Sequence, residues 1–220
     1  MAHVLYKIAR WSLRRLFSVW GGLEVKGREK APPEGSLIVV SNHASYWDPM
    51  VLGPALDRPL HYMARKTLFD KPVFGWLIRQ VNAFPLNREG DSREALRAFG
   101  ELLAQGEAVV LFPEGTRSKD GSLGEIKTGV GMLAVRNQAK VLPGYIWGTY
   151  QSWPRGQKYP KRHHLKAFFG DPIEPMLEGE PRKDAQLRVT HEVENAFKRL
   201  ETEAWAGELN PPPGVNSNGE

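Results

Sequence analysis

Residues 36–49 read SLIVVSNHASYWDP, and this stretch decides the fold. Its first five residues carry no charge and are mostly apolar, which predicts a strand that is covered on both faces. Asp48 and Pro49 are typical of the start of a helix and predict a short helix over 49–56. A buried strand, a polar turn and a helix in this order form the basic unit of an α/β protein.

The alternation of strands and helices continues along the chain. Further strands are predicted at 60–64, 83–86, 108–112, 141–147 and 165–169. Further helices are predicted at 73–81, 91–105, 130–137 and 184–205. Asp91 and Glu94 form a plausible capping pair for the second of these helices, and Gly106 would stop it. We therefore predict an α/β layered sandwich, with a central and mostly parallel sheet flanked by helices.

The composition is that of a globular domain, with 41% hydrophobic and 25% charged residues among 220. A net charge of +5 favours anionic partners, namely nucleic acid, anionic lipid or a phosphorylated small molecule. The absence of cysteine excludes disulfides, thiolate metal sites and a cysteine nucleophile. No stretch approaches the roughly 20 apolar residues of a membrane-spanning helix, so we expect any membrane contact to be peripheral.

The first twenty residues predict an amphipathic helix. One arc of its helical wheel is basic and contains His3, Lys7, Arg10 and Arg14. The opposite arc is apolar, a pattern that suits a helix lying in the headgroup layer of a membrane. A helix packed on its own domain is the alternative. We divide the chain into a membrane-associating helix (1–25), one folded domain (26–206) and a disordered tail (207–220) rich in Pro, Gly and Asn.

His43 and Asp48 are the first candidates for chemistry. They follow a buried strand, and the carboxyl ends of parallel strands are where α/β proteins usually place their sites. Imidazole is a natural general base near neutral pH. In a turn that leads into a helix, Asp48 would fold back onto the ring of His43 and fix its tautomer. The structural alternative is that Asp48 only caps the helix and that His43 has no chemical role.

Arginines follow two other predicted strands, Arg88 after 83–86 and Arg117 after 108–112. Presented at one sheet edge, the two guanidinium groups would suit a phosphate dianion. A solvated surface charge is the alternative for each. Residues 126–169 add eight Lys and Arg without any acid, interleaved with aromatic residues. Such a field favours an anionic partner such as a phosphorylated small molecule or an anionic bilayer, although a basic solvent face is equally compatible.

Taken together, these motifs resemble those of the lysophosphatidate (1-acyl-sn-glycerol-3-phosphate) acyltransferase family. His43 and Asp48 match its His-four-residues-Asp block, and FPEGTR at 112–117 matches its third block closely. The segment 84–88 corresponds to a second block that ends in arginine, and 141–146 to a proline-centred fourth block. Lys127 with the glycine two positions later lies where the family also has a lysine and a glycine.

The resemblance implies that a fatty acyl group moves from acyl-CoA or acyl carrier protein to the sn-2 hydroxyl of lysophosphatidic acid. His43 would be the general base and Asp48 would orient it. The implied substrate-binding residues are Lys66, Arg88, Glu114, Gly115, Thr116, Arg117 and Lys127. Neither a metal nor a cofactor is implied, and the acyl donor is a co-substrate. The implied location is the cytoplasmic face of the cell membrane. The implied partner is membrane lipid, and nucleic acid is not an implied partner.

Two departures bear on the acceptor rather than on acyl transfer. Asn87 stands where many members carry an acid, and Gly144 with Tyr145 replaces a small apolar pair. Another lysolipid or a glycolipid therefore remains an alternative acceptor. The alternative from another functional class is a non-catalytic basic protein that binds lipid or nucleic acid. A G-x-G-x-x-A pattern at 129–134 lacks the acid of a dinucleotide site and is interpreted as close helix packing.

Overall fold

The computed structural model describes residues 2–86 and 92–206. Arg88, Asn87, Asp91 and the predicted tail 207–220 lie outside the described residues. The strands are β1 (Leu23–Lys26), β2 (Leu37–Ser41), β3 (Leu60–Arg65), β4 (Ala83–Leu86), β5 (Ala108–Leu111), β6 (Lys140–Trp147) and β7 (Leu165–Phe169). The helices are α1 (Ala2–Trp20), α2 (Asp48–Ala55), α3 (Lys66–Phe69), α4 (Pro72–Gln80), α5 (Ser92–Ala104), α6 (Gly129–Asn137), α7 (Thr149–Ser152) and α8 (Arg182–Trp205). A short 3-10 helix covers Arg28–Lys30.

The seven described strands form one sheet in the order β1-β7-β6-β2-β5-β3-β4. Every neighbouring pair is parallel except β6 and β7. β2 lies at the centre, and Leu37 is in register with Ala108 of β5 on one side and Lys140 of β6 on the other. The predicted α/β fold with a mostly parallel sheet is therefore confirmed. The carboxyl ends of β2, β3, β4, β5 and β6 meet at one edge.

Two apolar layers cover the sheet, and successive residues of β2 face them in turn. Leu37 and Val39 belong to a core that also contains Phe17 of α1 and Leu52 of α2. Ile38 and Val40 belong to the second core, which α5, α6 and α8 cover from the other face. All five residues of β2 are buried, as the uncharged run in the sequence predicted.

The prediction missed three short elements in addition to the 3-10 helix. β1 has only four residues and contains Glu24 and Lys26, so its apolar alternation is too brief to stand out in the sequence. α3 and α7 are single turns of four residues each. β1 nevertheless completes one end of the sheet, where it pairs in parallel with β7.

The N-terminal helix packs on its own domain through one face and exposes the other. Tyr6 and Phe17 are buried. Arg10 and Arg14, two residues of the predicted basic arc, donate to the carbonyl oxygens of Leu56 and Pro54 at the end of α2. These arginines stabilise a helix C-terminus rather than extending into solvent. No helix within 2–86 and 92–206 combines the length and the apolar character needed to cross a bilayer.

Candidate active site

The turn between β2 and α2 brings His43 and Asp48 together. Asp48 is fully buried at the start of α2, and its Oδ2 lies 2.8 Å from Nδ1 of His43. The same oxygen accepts hydrogen bonds from the backbone N–H groups of Ala44 at 2.7 Å and Ser45 at 2.8 Å. The carboxylate therefore ties the whole turn to the imidazole, as the sequence predicted for its geometry.

This contact defines how the imidazole is oriented. When Nδ1 donates its hydrogen to Asp48, Nε2 carries the lone pair and is the atom able to accept a proton. The ring stacks on Phe112 at a centroid distance of 4.1 Å, which fixes its plane. The side chain of His43 is 20% exposed, so one side of the ring is packed and the other side is accessible to a substrate.

Glu114 organises the loop that follows β5. Its Oε1 accepts the backbone N–H of His43 at 2.7 Å, and its Oε2 accepts that of Gly124 at 3.0 Å. Burial raises the pKa of the Glu114 carboxyl, and these two hydrogen bonds oppose the shift. Both oxygens of Glu114 are engaged with the backbone, so this carboxylate holds its own loop against the turn that contains His43.

The segment that contains Gly115 and Thr116 is exposed beside this turn. Gly115 has φ 72°, a left-handed conformation that favours glycine. Lys127 lies over it, because a Cβ on Gly115 would come within 2.7 Å of the Lys127 Nζ. Ser118 at the end of the segment donates its N–H to the carbonyl oxygen of His43 at 2.7 Å. The loops after β2 and β5 are thus joined by hydrogen bonds.

Arg117 turns toward the His43 turn and lies over the ring of Tyr46, with 3.7 Å between its Cζ and the ring centroid. Chiefly through a hydrogen bond, the guanidinium lowers the pKa of the Tyr46 hydroxyl. Nη1 of Arg117 is buried and has no hydrogen-bond partner among the described residues. Arg65 and Arg155 add their positive charge around Tyr46. Three cationic side chains therefore cluster around Tyr46, in the same turn as His43.

The remaining predicted binding residue within the described ranges is Lys66. It is the first residue of α3, directly after β3 ends at the same sheet edge, and it is exposed. His43, Asp48, Glu114 and Arg117 are joined by direct contacts or by shared loops, whereas no described contact joins Lys66 to them.

Sequence reasoning missed two residues that support the site. Asn42 is buried, and its side-chain amide forms two hydrogen bonds with the backbone of Ile146 in β6, at 3.0 and 2.7 Å. Ser45 donates its hydroxyl to the carbonyl oxygen of Trp153 at 2.7 Å. Polar residues directly before and after His43 were the only signal, and their partners lie more than 100 positions away.

Comparison with known proteins decides the family. A family model described as Acyltransferase matches residues 22–147, which is more than half of the chain. The chain belongs to the acyltransferase family. The matched range contains every predicted site residue, from His43 to Lys127.

Solved and curated relatives agree with this assignment. The crystal structure of the 1-acyl-sn-glycerophosphate (LPA) acyltransferase PlsC from Thermotoga maritima superposes with a TM-score of 0.70 at 31% identity, covering 86% of this chain and 78% of that one. The 1-acyl-sn-glycerol-3-phosphate acyltransferase of Bacillus subtilis is 28% identical over 90% of this chain and 97% of its own length. That of Pseudomonas aeruginosa is 30% identical over 77% and 66%. The resemblance found in the sequence is thereby confirmed.

Proposed function

We propose that this acyltransferase moves a fatty acyl group from an acyl thioester, acyl-CoA or acyl carrier protein, to the sn-2 hydroxyl of lysophosphatidic acid. The product is phosphatidic acid. The observation that carries the proposal is the pair formed by His43 and Asp48, in a turn whose Tyr46 lies under the guanidinium of Arg117. The names of the relatives from Thermotoga maritima and Bacillus subtilis support the same acceptor.

His43 is the general base of this reaction. Its Nε2 takes the proton of the acceptor hydroxyl while the hydroxyl oxygen attacks the thioester carbonyl carbon. The carbon–sulfur bond then breaks, and the thiol leaves with the proton that His43 returns. Asp48 holds the ring in the required tautomer and stabilises the imidazolium. The acyl group passes directly to the acceptor, so no acyl-enzyme forms.

Arg117 binds the acceptor phosphate through its guanidinium, which suits the geometry of a phosphate and whose Nη1 has no hydrogen-bond partner among the described residues. Arg88 and Lys66 complete this phosphate site in the proposal, and Lys127 adds positive charge beside it. The developing oxyanion needs hydrogen-bond donors. The backbone N–H groups of Gly115 and Thr116, or those at the start of α2, are the candidates.

The enzyme works as a peripheral protein at the cytoplasmic face of the membrane. The outer side of α1 carries Val4, Ile8, Trp11 and Val19, whose exposures range from 53% to 72%. Arg15 lies over the ring of Trp11, a pairing suited to the headgroup region. An apolar surface of this kind supports the proposal, because a lysolipid acceptor resides in the membrane.

The test compares the wild type with His43→Ala in an assay that follows thiol release from a long-chain acyl-CoA in the presence of lysophosphatidic acid. We expect phosphatidic acid from the wild type and a loss of about 10²-fold or more in kcat for the variant. His191→Ala, which removes an exposed histidine of α8, is the matched control and should retain full activity.

Thiol release that His43→Ala leaves unchanged would overturn the role of His43 as base. If acyl carrier protein supports turnover and acyl-CoA does not, the donor is the carrier protein. A panel of other lysolipids and glycolipids tests the acceptor. Faster transfer to one of them than to lysophosphatidic acid would overturn the acceptor, although not acyl transfer.

A further inference from the structure

Helix α4 exposes most of its apolar side chains. The exposed fractions are 81% for Val73, 55% for Trp76, 48% for Leu77 and 44% for Phe74. Gly75 is the one buried residue of this helix. Several large apolar side chains side by side on a surface mark a site of interaction rather than a part of the core.

The packing of α4 turns its apolar residues outward. Gly75 lies against the backbone of Phe69 in α3, so closely that a Cβ at this position would meet the Phe69 carbonyl oxygen. Arg79 lies 5.0 Å over the ring of Phe69 on the same side. Val73, Trp76 and Leu77 follow the three- and four-residue spacing of a single helix face. That face has no described element against it.

The position of α4 relates it to the active site and to α1. The preceding helix α3 begins directly after Arg65, where β3 ends at the edge that carries His43. α4 also contacts α1, whose outer side exposes Trp11 and Val19. Two neighbouring helices next to the site therefore both expose apolar residues.

Charge identifies the occupant of this surface. Between positions 65 and 86 the chain has four Arg and Lys residues and a single acid, Asp70. Lys66 at the start of α3 and Lys71 directly before α4 are both exposed. An apolar helix face bordered by exposed cations matches a bilayer that contains anionic lipid.

We propose that α4 is a second membrane-inserting helix, which places the Val73, Trp76 and Leu77 face into an anionic bilayer beside the active site. This inference rests on the proposed function, because it gives a lipid acceptor a route to His43 that does not leave the membrane.

The lack of cysteine in the chain permits a direct test of insertion. Val73→Cys, labelled with a fluorophore sensitive to polarity, is mixed with vesicles of phosphatidylcholine and phosphatidylglycerol in equal parts. We expect a blue shift of emission that is much weaker on vesicles of phosphatidylcholine alone. Leu187→Cys is the matched control, since Leu187 is 64% exposed on α8, on the opposite face of the sheet, and should show no shift.

Two outcomes of this experiment would overturn the inference. One is unchanged emission from position 73 while the protein sediments with the vesicles, because another surface would then make the contact. The other is a blue shift without vesicles that grows with protein concentration, because a second copy of the chain would then cover α4.

Activity gives an independent test. Val73→Asp is assayed on lysophosphatidic acid held in the anionic vesicles and on a short-chain, water-soluble analogue, with Leu187→Asp as control. We expect Val73→Asp to lose roughly tenfold on vesicles, because a carboxylate resists entry into the bilayer, and to keep its rate on the soluble analogue. Equal loss on both substrates, or no loss on vesicles, would overturn the inference. Failure of the wild type on both substrates would instead contradict the proposed function.

Discussion

Nδ1 of His43 lies 2.8 Å from Oδ2 of Asp48, although the two residues are five positions apart and could not meet on one helical face. The contact is possible because the chain between them turns and Asp48 begins α2 only after that turn. The carboxylate is completely buried and also accepts two backbone N–H groups, so it holds ring and turn in one arrangement.

Asp48→Asn removes the negative charge beside His43 but keeps an oxygen that can orient the ring. The amide oxygen can still accept from the backbone, but the negative charge that stabilises the imidazolium is lost. We expect kcat to fall by about 10²-fold or more with little change in the KM of the acceptor. Steady-state kinetics measure both quantities. Asp171→Asn, at a carboxylate that is 86% exposed, is the control and should leave both unchanged. A fall confined to KM would contradict the proposed role of Asp48.

Arg117→Lys tests whether the guanidinium recognises the acceptor phosphate. Lysine keeps the positive charge but loses the planar group that lies over Tyr46. We expect the KM of lysophosphatidic acid to rise by roughly tenfold, the scale of one charge-assisted hydrogen bond. The KM of the acyl donor should stay the same.

The partner variants Tyr46→Phe and Tyr46→Leu refine this result. Phenylalanine preserves the aromatic face under Arg117, whereas leucine removes it. The KM of the acceptor should therefore change less with Phe than with Leu. An effect of Arg117→Lys on the donor KM alone would assign Arg117 to the donor instead.

The sequence predicted the parts of the fold and site that depend on local patterns. The uncharged run in β2 and the Asp48-Pro49 pair that begins α2 are readable because their causes lie within a few residues. The turn containing His43 and Asp48 was readable for the same reason. These features required no knowledge of distant partners.

The sequence did not predict the parts that depend on tertiary contacts. The helical wheel of α1 grouped Arg10 and Arg14 as a basic arc, yet both bind the end of α2, some 40 positions away. The pairing of Arg117 with Tyr46 joins two loops that only the sheet brings together. The sequence also did not predict that the apolar face of α4 is exposed. The spacing of its apolar residues is equally typical of a helix packed on the core.

Glu201 of α8 gives the stability of the protein a definite pH dependence. Burial raises the pKa of its carboxyl, which accepts a hydrogen bond from Tyr145 at 3.1 Å. Its contribution to stability is therefore complete below the ordinary carboxyl pKa of 4.5 and is lost as the pH rises through the raised pKa of the folded state. Glu201→Gln cannot lose this contribution, because glutamine does not titrate.

We expect the Tm of Glu201→Gln, relative to that of the wild type, to increase as the pH is raised from about 4.5 toward 8. Thermal denaturation followed by circular dichroism across this range measures the difference. Glu203→Gln removes the same charge from an exposed position of α8 and serves as control. If both variants showed the same dependence on pH, burial of Glu201 would not be its cause.

Gly131 and Gly129 lie two positions apart in α6 and predict opposite responses to alanine. A Cβ on Gly131 would meet the carbonyl oxygen of Gln186 in α8 and come within 2.7 Å of the Thr190 hydroxyl, whereas a Cβ on Gly129 has nothing within 4 Å. Gly131→Ala must push two helices apart, and we expect a loss of about 1–3 kcal/mol in the free energy of unfolding. Gly129→Ala should gain up to about 1 kcal/mol, because alanine favours the helix. Urea denaturation measures both values. Equal effects at the two positions would contradict close packing of α6 on α8 as the reason for glycine at 131.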